Sequence, residues 1–200
     1  MKNKIYTVND QVNSHYYRAG VNYAIDSVRS FGFQYNGFYS LNRNEADNSN
    51  EIFKNSVPQL TIETNTLSHP KLINNTANVN YTRILDTLKS EWSAAFQYGN
   101  FTSKNFNEIT QKIIVVNTID QQLKRNSGLN EIQLFTGQTD LIKVLNKKWE
   151  IESGIKDSYI INESAIDFEN YSVAGEWVSD PAYFNGYKYS ENVLAAYTQL

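Results

Sequence analysis

The chain has no cysteine. That absence removes a disulfide framework, a thiolate nucleophile and a Cys-ligated metal together, and leaves the redox compartment open. Proline is scarce, at three in 200 residues, too few for a proline-rich linker. The nine glycines stand singly, and no P-loop, G-x-G-x-x-G fingerprint or G-x-S-x-G elbow is present. Histidine is limited to His15 and His69, without HExxH spacing or a helical ligand pair, so no metal or cofactor site is expected. His15 reads as a solvated helix residue, and His69, between Ser68 and Pro70, as part of a turn. No run approaches the ~20 apolar residues of a spanning helix. The opening MKNKIYTVND lacks the apolar core of a secretory signal. On these grounds the expected compartment is the cytoplasm, with no membrane association.

What is present is polar and aromatic. There are 26 Asn, 17 Ser, 13 Thr and 10 Gln, against 14 Tyr, 10 Phe and 3 Trp, the last group able to bury large areas while Tyr and Trp keep a polar end. A net charge of -3 argues against a dedicated nucleic-acid binder. Lys143, Lys147 and Lys148 form the densest basic group, which reads as a solvated helix face. Five N-x-Ser/Thr sequons begin at Asn74, Asn80, Asn100, Asn162 and Asn170, roughly the number chance gives in so Asn-rich a chain. The composition suits an AT-rich coding genome. Two hundred residues suit a single domain, 1–200, large enough to bury its own core.

Periodicity gives an α+β expectation of about four helices, short antiparallel strands and hairpins, and long polar loops. A strand over 4–8 leads to a helix over 10–29, with Val12, Tyr16, Ala19, Tyr23, Ala24 and Val28 near 3.6 spacing. Asn36-Gly37, flanked by aromatics, signals a hairpin, as does Asn185-Gly186. Polar segments 42–56 and 68–80 read as protruding loops, with a strand over 57–67 between them. A helix over 81–98 carries Tyr81, Ile84, Leu85, Leu88, Trp92, Ala95 and Phe96. A second starts at Asn105, with a capping-box spacing to Glu108 and with Phe106, Ile109, Ile113, Val116, Ile119 and Leu123 at helical intervals, although the β-branched run 113–116 also suits a strand. A strand over 129–135, a helix to Trp149, strand-like texture over 158–178 and a short helix over 190–197 complete the chain.

Function is read from what remains. With no catalytic constellation and two long polar arms, the leading expectation is a non-enzymatic structural subunit of a large symmetric assembly, a tailed-phage virion protein of the head-to-tail connector, neck or tail. Its partners would be other copies of itself and neighbouring assembly proteins, and it would pass from cytoplasm to virion. An alternative is a carbohydrate- or ligand-binding module using Trp177, Tyr183 and Tyr187. Another is a hydrolase using Asp167, Glu169 or Glu176, two carboxylates being enough for glycoside chemistry. Alternating polar residues on a half-exposed strand account for those carboxylates more simply.

Overall fold

The computed structural model describes residues 2–54, 57–115 and 118–200. Among them there is no helix. Nine strands follow one another: β1 (Lys2–Ala24), β2 (Arg29–Lys54), β3 (Val57–Ser68), β4 (Lys71–Ile84), β5 (Glu91–Val115), β6 (Thr118–Asn146), β7 (Trp149–Tyr171), β8 (Trp177–Ser179) and β9 (Asn185–Gln199). All pairings are antiparallel and form one sheet. β3 and β4 lie end to end against β2, with Asn44 opposite Ser68 and Leu41 opposite Lys71, so they are one long strand interrupted at His69-Pro70. Both then pair with β5. The break keeps its backbone bonds, since Asn42 N donates to Pro70 O at 3.0 Å and His69 N to Phe106 O at 2.8 Å. β8 and β9 likewise share the edge of β7. The result is an up-and-down meander in which β1 pairs only β2 and β9 only β7, leaving two free edges among the described residues.

The α+β expectation is therefore corrected to an all-strand architecture. A helical stripe and a strand alternation share positions, and the alternation wins because each segment has a neighbour of matching pattern. In 10–29, Tyr17, Ala19, Val21 and Tyr23 alternate with Arg18, Gly20 and Asn22, and the segment pairs with β2 from Val12↔Asn42 to Ala24↔Ser30. In 81–98, Tyr81, Trp92, Ala94, Phe96 and Tyr98 occupy alternate strand positions around a turn at 85–90. The helix expected from Asn105 is divided between β5, with Ile113, and β6, with Ile119 and Leu123, Val116 lying outside the described residues; the helix expected to Trp149 falls in β6 and the start of β7, and that over 190–197 in β9. The polar segments 42–56 and 68–80 are no loops: β2 runs to Lys54, with 55–56 outside the described residues, and β4 starts at Lys71. Asn36-Gly37 is strand interior. A Cβ on Gly37 would lie 2.3 Å from the Tyr17 ring, so the glycine makes room for an aromatic lying across the strand. Asn185-Gly186 opens β9 and turns no hairpin.

At one end of the sheet each hairpin is closed by a side chain that accepts from the backbone two residues on, the Asx turn. Asp26 Oδ1 accepts from Val28 N at 2.9 Å, Asp86 Oδ1 from Leu88 N and Ser90 N at 3.0 Å each, and Asn146 Oδ1 from Lys148 N at 2.9 Å. Asp26 also holds Arg29 at 2.6 Å. Asp86 reaches the neighbouring strand, with its Oδ2 2.7 Å from Lys143 Nζ, while the buried Ser90 Oγ accepts from Val144 N at 3.0 Å. Lys89, at φ 65°, completes that turn in the left-handed region. The Lys143 ammonium, and after it Ser90, hold the Asp86 carboxyl well below the ordinary aspartate range. Because the folded pKa is depressed, the contribution is full above the unfolded value near 3.8 and is lost as pH falls from there through the folded value. The protection of the Leu88 and Ser90 amides from hydrogen exchange, relative to their intrinsic rates at each pH, should therefore fall on acidification below pH ~4. In Asp86→Asn that acid-dependent step should vanish; an unchanged profile in this variant would refute the assignment.

Candidate functional site: a two-faced wall

Strand alternation puts successive side chains on opposite faces, and the register carries each face across the sheet. One face is apolar along part of β1, β2, β4, β5, β6 and β7, with β3 lying beyond the band. It presents Tyr17, Ala19, Val21 and Tyr23 on β1, then Phe31, Phe33, Tyr35, Tyr39 and Leu41 on β2, and Ile73, Ala77, Val79 and Tyr81 on β4. It continues through Trp92, Ala94, Phe96 and Tyr98 on β5, Phe135 and Leu141 on β6, and Ile151, Ile155, Tyr159 and Ile161 on β7. Rings meet across strands, with Tyr81 and Trp92 edge-on at 5.7 Å and Tyr98 and Phe135 at 5.0 Å. The row of Asn75, Asn100 and Gln133 crosses the band, where the Asn75 carbonyl takes the hydroxyls of Tyr17 and Tyr35, and nearer the turns Thr139 Oγ1 takes the Trp92 indole N–H at 2.8 Å. Nothing in the structure explains Asp157 in the β7 stretch.

The band has charged borders. On β2 it lies between Arg29 and Arg43, on β4 between Arg83 and Lys71, and it ends at Lys104 on β5. On β6 it runs between Lys143 and Glu131, and on β7 it stops at Glu163. The borders step in the same direction. Far from the Asx turns, the row of Lys71 and Lys104 is followed on β6 and β7 by the row of Glu131 and Glu163, two residues nearer those turns. Near the turns, the row of Arg29 and Arg83 is followed by Lys143 opposite the row of Ser90, again two residues further on. A flat slab crossed by tilted strands gives this drift. From Phe31 to Leu41, at ~3.3 Å per residue and ~45° tilt, the band is roughly 23 Å tall, close to the ~25 Å apolar belt of a bilayer-spanning barrel.

The opposite face is mainly polar over the same rows, interrupted by Phe38, Leu72, Phe101, Leu134 and Ile160. Gln34, Asn36, Ser40, Asn74, Thr76, Asn78, Asn80, Gln97, Thr136, Gln138 and Ser158 occupy it, joined by short ladders. Ser14 and Ser40 hydroxyls lie 2.8 Å apart, and Arg18 Nη2 donates to Gln34 Oε1 at 2.8 Å, whose amide donates on to Asn36 at 2.8 Å. Tyr197 OH donates to Asp140 at 2.9 Å and to Glu152 at 3.1 Å. β9 departs from the pattern, with Tyr187, Tyr189 and Tyr197 on the polar face and Lys188, Ser190 and Asn192 on the other. No hydrophobic side chain among the described residues is buried within the chain, so the apolar face has no partner in the protein itself. No helix is long and apolar enough to cross a membrane, which does not bear on strands.

The residues expected from sequence to form a site do not converge. Trp177 packs on Tyr171 at 5.1 Å, with the Arg125 guanidinium 4.4 Å over its ring, on the extension of the apolar face. Tyr183 meets Phe168 at 5.7 Å and Tyr187 stacks on Tyr189 at 6.1 Å, both on the polar face. Glu169 takes two bonds from Arg125, at 2.5 and 2.9 Å, which lower its pKa. Asp167 accepts from Ser179 Oγ at 2.7 Å, and Glu176 sits in the 172–176 turn, its N–H directed to Ser172 Oγ. His15 lies on the strand of β1 opposite Tyr39, and His69 at the β3–β4 break. Lys143 is the partner of Asp86, with Lys147 and Lys148 in the adjoining turn. Among the described residues no three His, Asp or Glu gather to hold a metal ion. Sequence reasoning missed the bordered band itself, whose signal was the period-two alternation of 31–41 and 73–81 read together with the flanking Arg and Lys.

A wall apolar on one side, polar on the other and bounded by charge is that of a membrane β-barrel. The model of the outer membrane protein beta-barrel family matches residues 83–200, more than half of the chain, and the chain belongs to that family. No curated protein matches. Among solved structures, the ferric yersiniabactin uptake receptor FyuA from Yersinia pestis is similar at 10% identity, covering 98% of this chain and 44% of that one, with a TM-score of 0.24. OpdL from Pseudomonas aeruginosa is similar at 8% identity, covering 98% and 96%, with a TM-score of 0.12. The chain thus spans less than half the length of the first, and likenesses of this size carry no argument about fold or activity.

Family membership overturns the expectation of a phage head-to-tail or tail protein working in cytoplasm and virion, and of a chain without a membrane partner. It points to the outer membrane. The physical cause of the error is that the apolar residues needed to cross a bilayer as strands are spread over alternate positions, so no long run exists to be seen. Ala77→Arg, in mid-band, should destabilise the vesicle-inserted protein by about 2–4 kcal/mol, whereas Asn78→Arg on the polar face should cost no more than ~1 kcal/mol. Denaturant titration followed by tryptophan fluorescence measures both; equal costs would contradict the assignment of faces.

Proposed function

We propose that the chain forms wall of a closed, non-enzymatic outer-membrane barrel whose interior admits polar solutes. The single observation that carries this reading is the coincidence of rows: where one face is Phe33, Val79 and Phe96, the other is Gln34, Asn78 and Gln97. Hydrocarbon accepts only the first face, and amides and hydroxyls suit water on the second. The free edges of β1 and β9 are met by further strands in this reading, because unpaired peptide groups are not tolerated against lipid. The aligned Asn, Gln, Ser and Thr side chains make the lining hydrogen-bonding, Arg18, Asp140, Glu152 and Lys156 add charges of both signs, and such a surface suits hydrophilic solutes more than hydrophobic ones.

The chain's lack of cysteine makes the test direct. Single Cys substitutions at Phe33, Val79 and Phe96 should be protected from a membrane-impermeant maleimide in intact outer membranes, and those at Gln34, Asn78 and Gln97 should be modified. Strand-alternating labelling supports the reading, and uniform labelling of both sets would sink it. Swelling of proteoliposomes in an uncharged sugar tests the passage of solute.

A further inference from the structure

Beside the border of the band, on the same outward face, lies a recess of about 480 Å³ lined by Leu41, His69, Lys71, Lys104, Phe106 and Leu129 among others. Lys71 and Lys104 are direct register partners on β4 and β5. Opposed residues in an antiparallel pair stand roughly 5 Å apart, and like charges there repel. Neither lysine has an ion pair among the described residues; the Lys71 ammonium lies 5.6 Å from the Tyr39 ring centroid. Arg43 is two residues beyond Leu41 on the same face and is also without an ion pair. None of the carboxylates around them forms an ion pair with them, although Asp167 also lines the recess. Glu45 accepts from Asn65 at 3.0 Å, Glu131 from Asn100 at 3.5 Å, Glu163 from Lys188 at 3.0 Å and Asp167 from Ser179 at 2.7 Å, while Glu108 stands opposite Arg125.

We propose that Lys71, Lys104 and Arg43 seat the phosphate headgroup of a membrane amphiphile whose acyl chains run down over the apolar band. The two facing ammonium groups lack an anion, and the recess between them and Leu129 has an apolar floor continuous with the band. A hydrated free anion has no use for that floor, whereas an amphiphile uses both parts. The inference rests on the outward face meeting lipid, as in the reading above.

The test uses the full chain in detergent, with native mass spectrometry counting bound phosphatidic acid against phosphatidylcholine. Wild type should prefer phosphatidic acid, by about fivefold for each lysine near the surface. Lys71→Gln/Lys104→Gln should lose that preference, and Lys71→Arg/Lys104→Arg should keep it, as should a control lacking two charges elsewhere, Lys112→Gln/Lys124→Gln. Equal binding of the two lipids by wild type, a preference that survives the double Gln variant, or full displacement of phosphatidic acid by millimolar inorganic phosphate would each overturn the proposal. Maleimide protection of Phe33→Cys in phosphatidic acid vesicles separates the two claims. Protection without lipid preference refutes the headgroup seat alone, and absence of protection refutes the membrane-facing assignment together with it.

Discussion

A peptide N–H or C=O inside hydrocarbon has no water to turn to, and a group left unpaired there costs several kcal/mol. Everything in this chain follows from meeting that demand with antiparallel ladders. Strands from β1 to β9 are paired in one sheet, with register shifts at Thr7–Asn9, Ile52–Phe53 and Val144–Asn146, and where the strand is interrupted, at His69-Pro70, backbone bonds from Asn42 and His69 carry the ladder across. Once the backbone is satisfied this way, side-chain direction is fixed by the pleat, and the sequence needs only to place apolar and amide residues on alternate positions. A core inside the chain is not required. The medium supplies the apolar partner that a soluble sheet finds in a second layer.

That economy explains how much of the molecule was legible in its residues. Strands over 4–8, 57–67 and 129–135 fall within β1, β3 and β6, the first two marked in the sequence by their β-branched residues. Segments 10–29 and 81–98 misled for a definite reason. In 10–29, Val12, Tyr16, Ala19 and Tyr23 satisfy a 3.6 period while drawing on both faces of the strand, and only the pairing to β2 shows that Tyr17, Ala19, Val21 and Tyr23 form the real set. Single-strand alternation over about ten residues is a weak signal, and it becomes strong only when adjacent strands repeat it in register. The Asn-rich stretches were misread for the opposite reason: polarity was taken for absence of structure, when Asn74, Asn78 and Asn80 are the water-facing half of β4.

The candidate site was less legible than the fold. Trp177, Tyr183 and Tyr187 are close in sequence yet divided between faces, and Glu169 is bound by Arg125, a partner 44 residues away that no local pattern reveals. Conversely, Lys71 and Lys104 are distant in sequence and become neighbours only through the β4–β5 register. Charge on such a wall acquires meaning from its height relative to the band, which composition and net charge do not report.

The Asx residues Asp26, Asp86 and Asn146 stand sixty residues apart. Each caps its turn by accepting from backbone amides two to four residues on, with Asp86 also binding Lys143 of the next hairpin, so the strand pair it joins is a locally closed stave. Antiparallel strands are spaced ~4.8 Å apart, and one more stave widens the girth by roughly 10 Å while leaving the height of the band unchanged. Duplication of such a segment is a route by which a wall of this kind changes bore without relearning how to cross the bilayer.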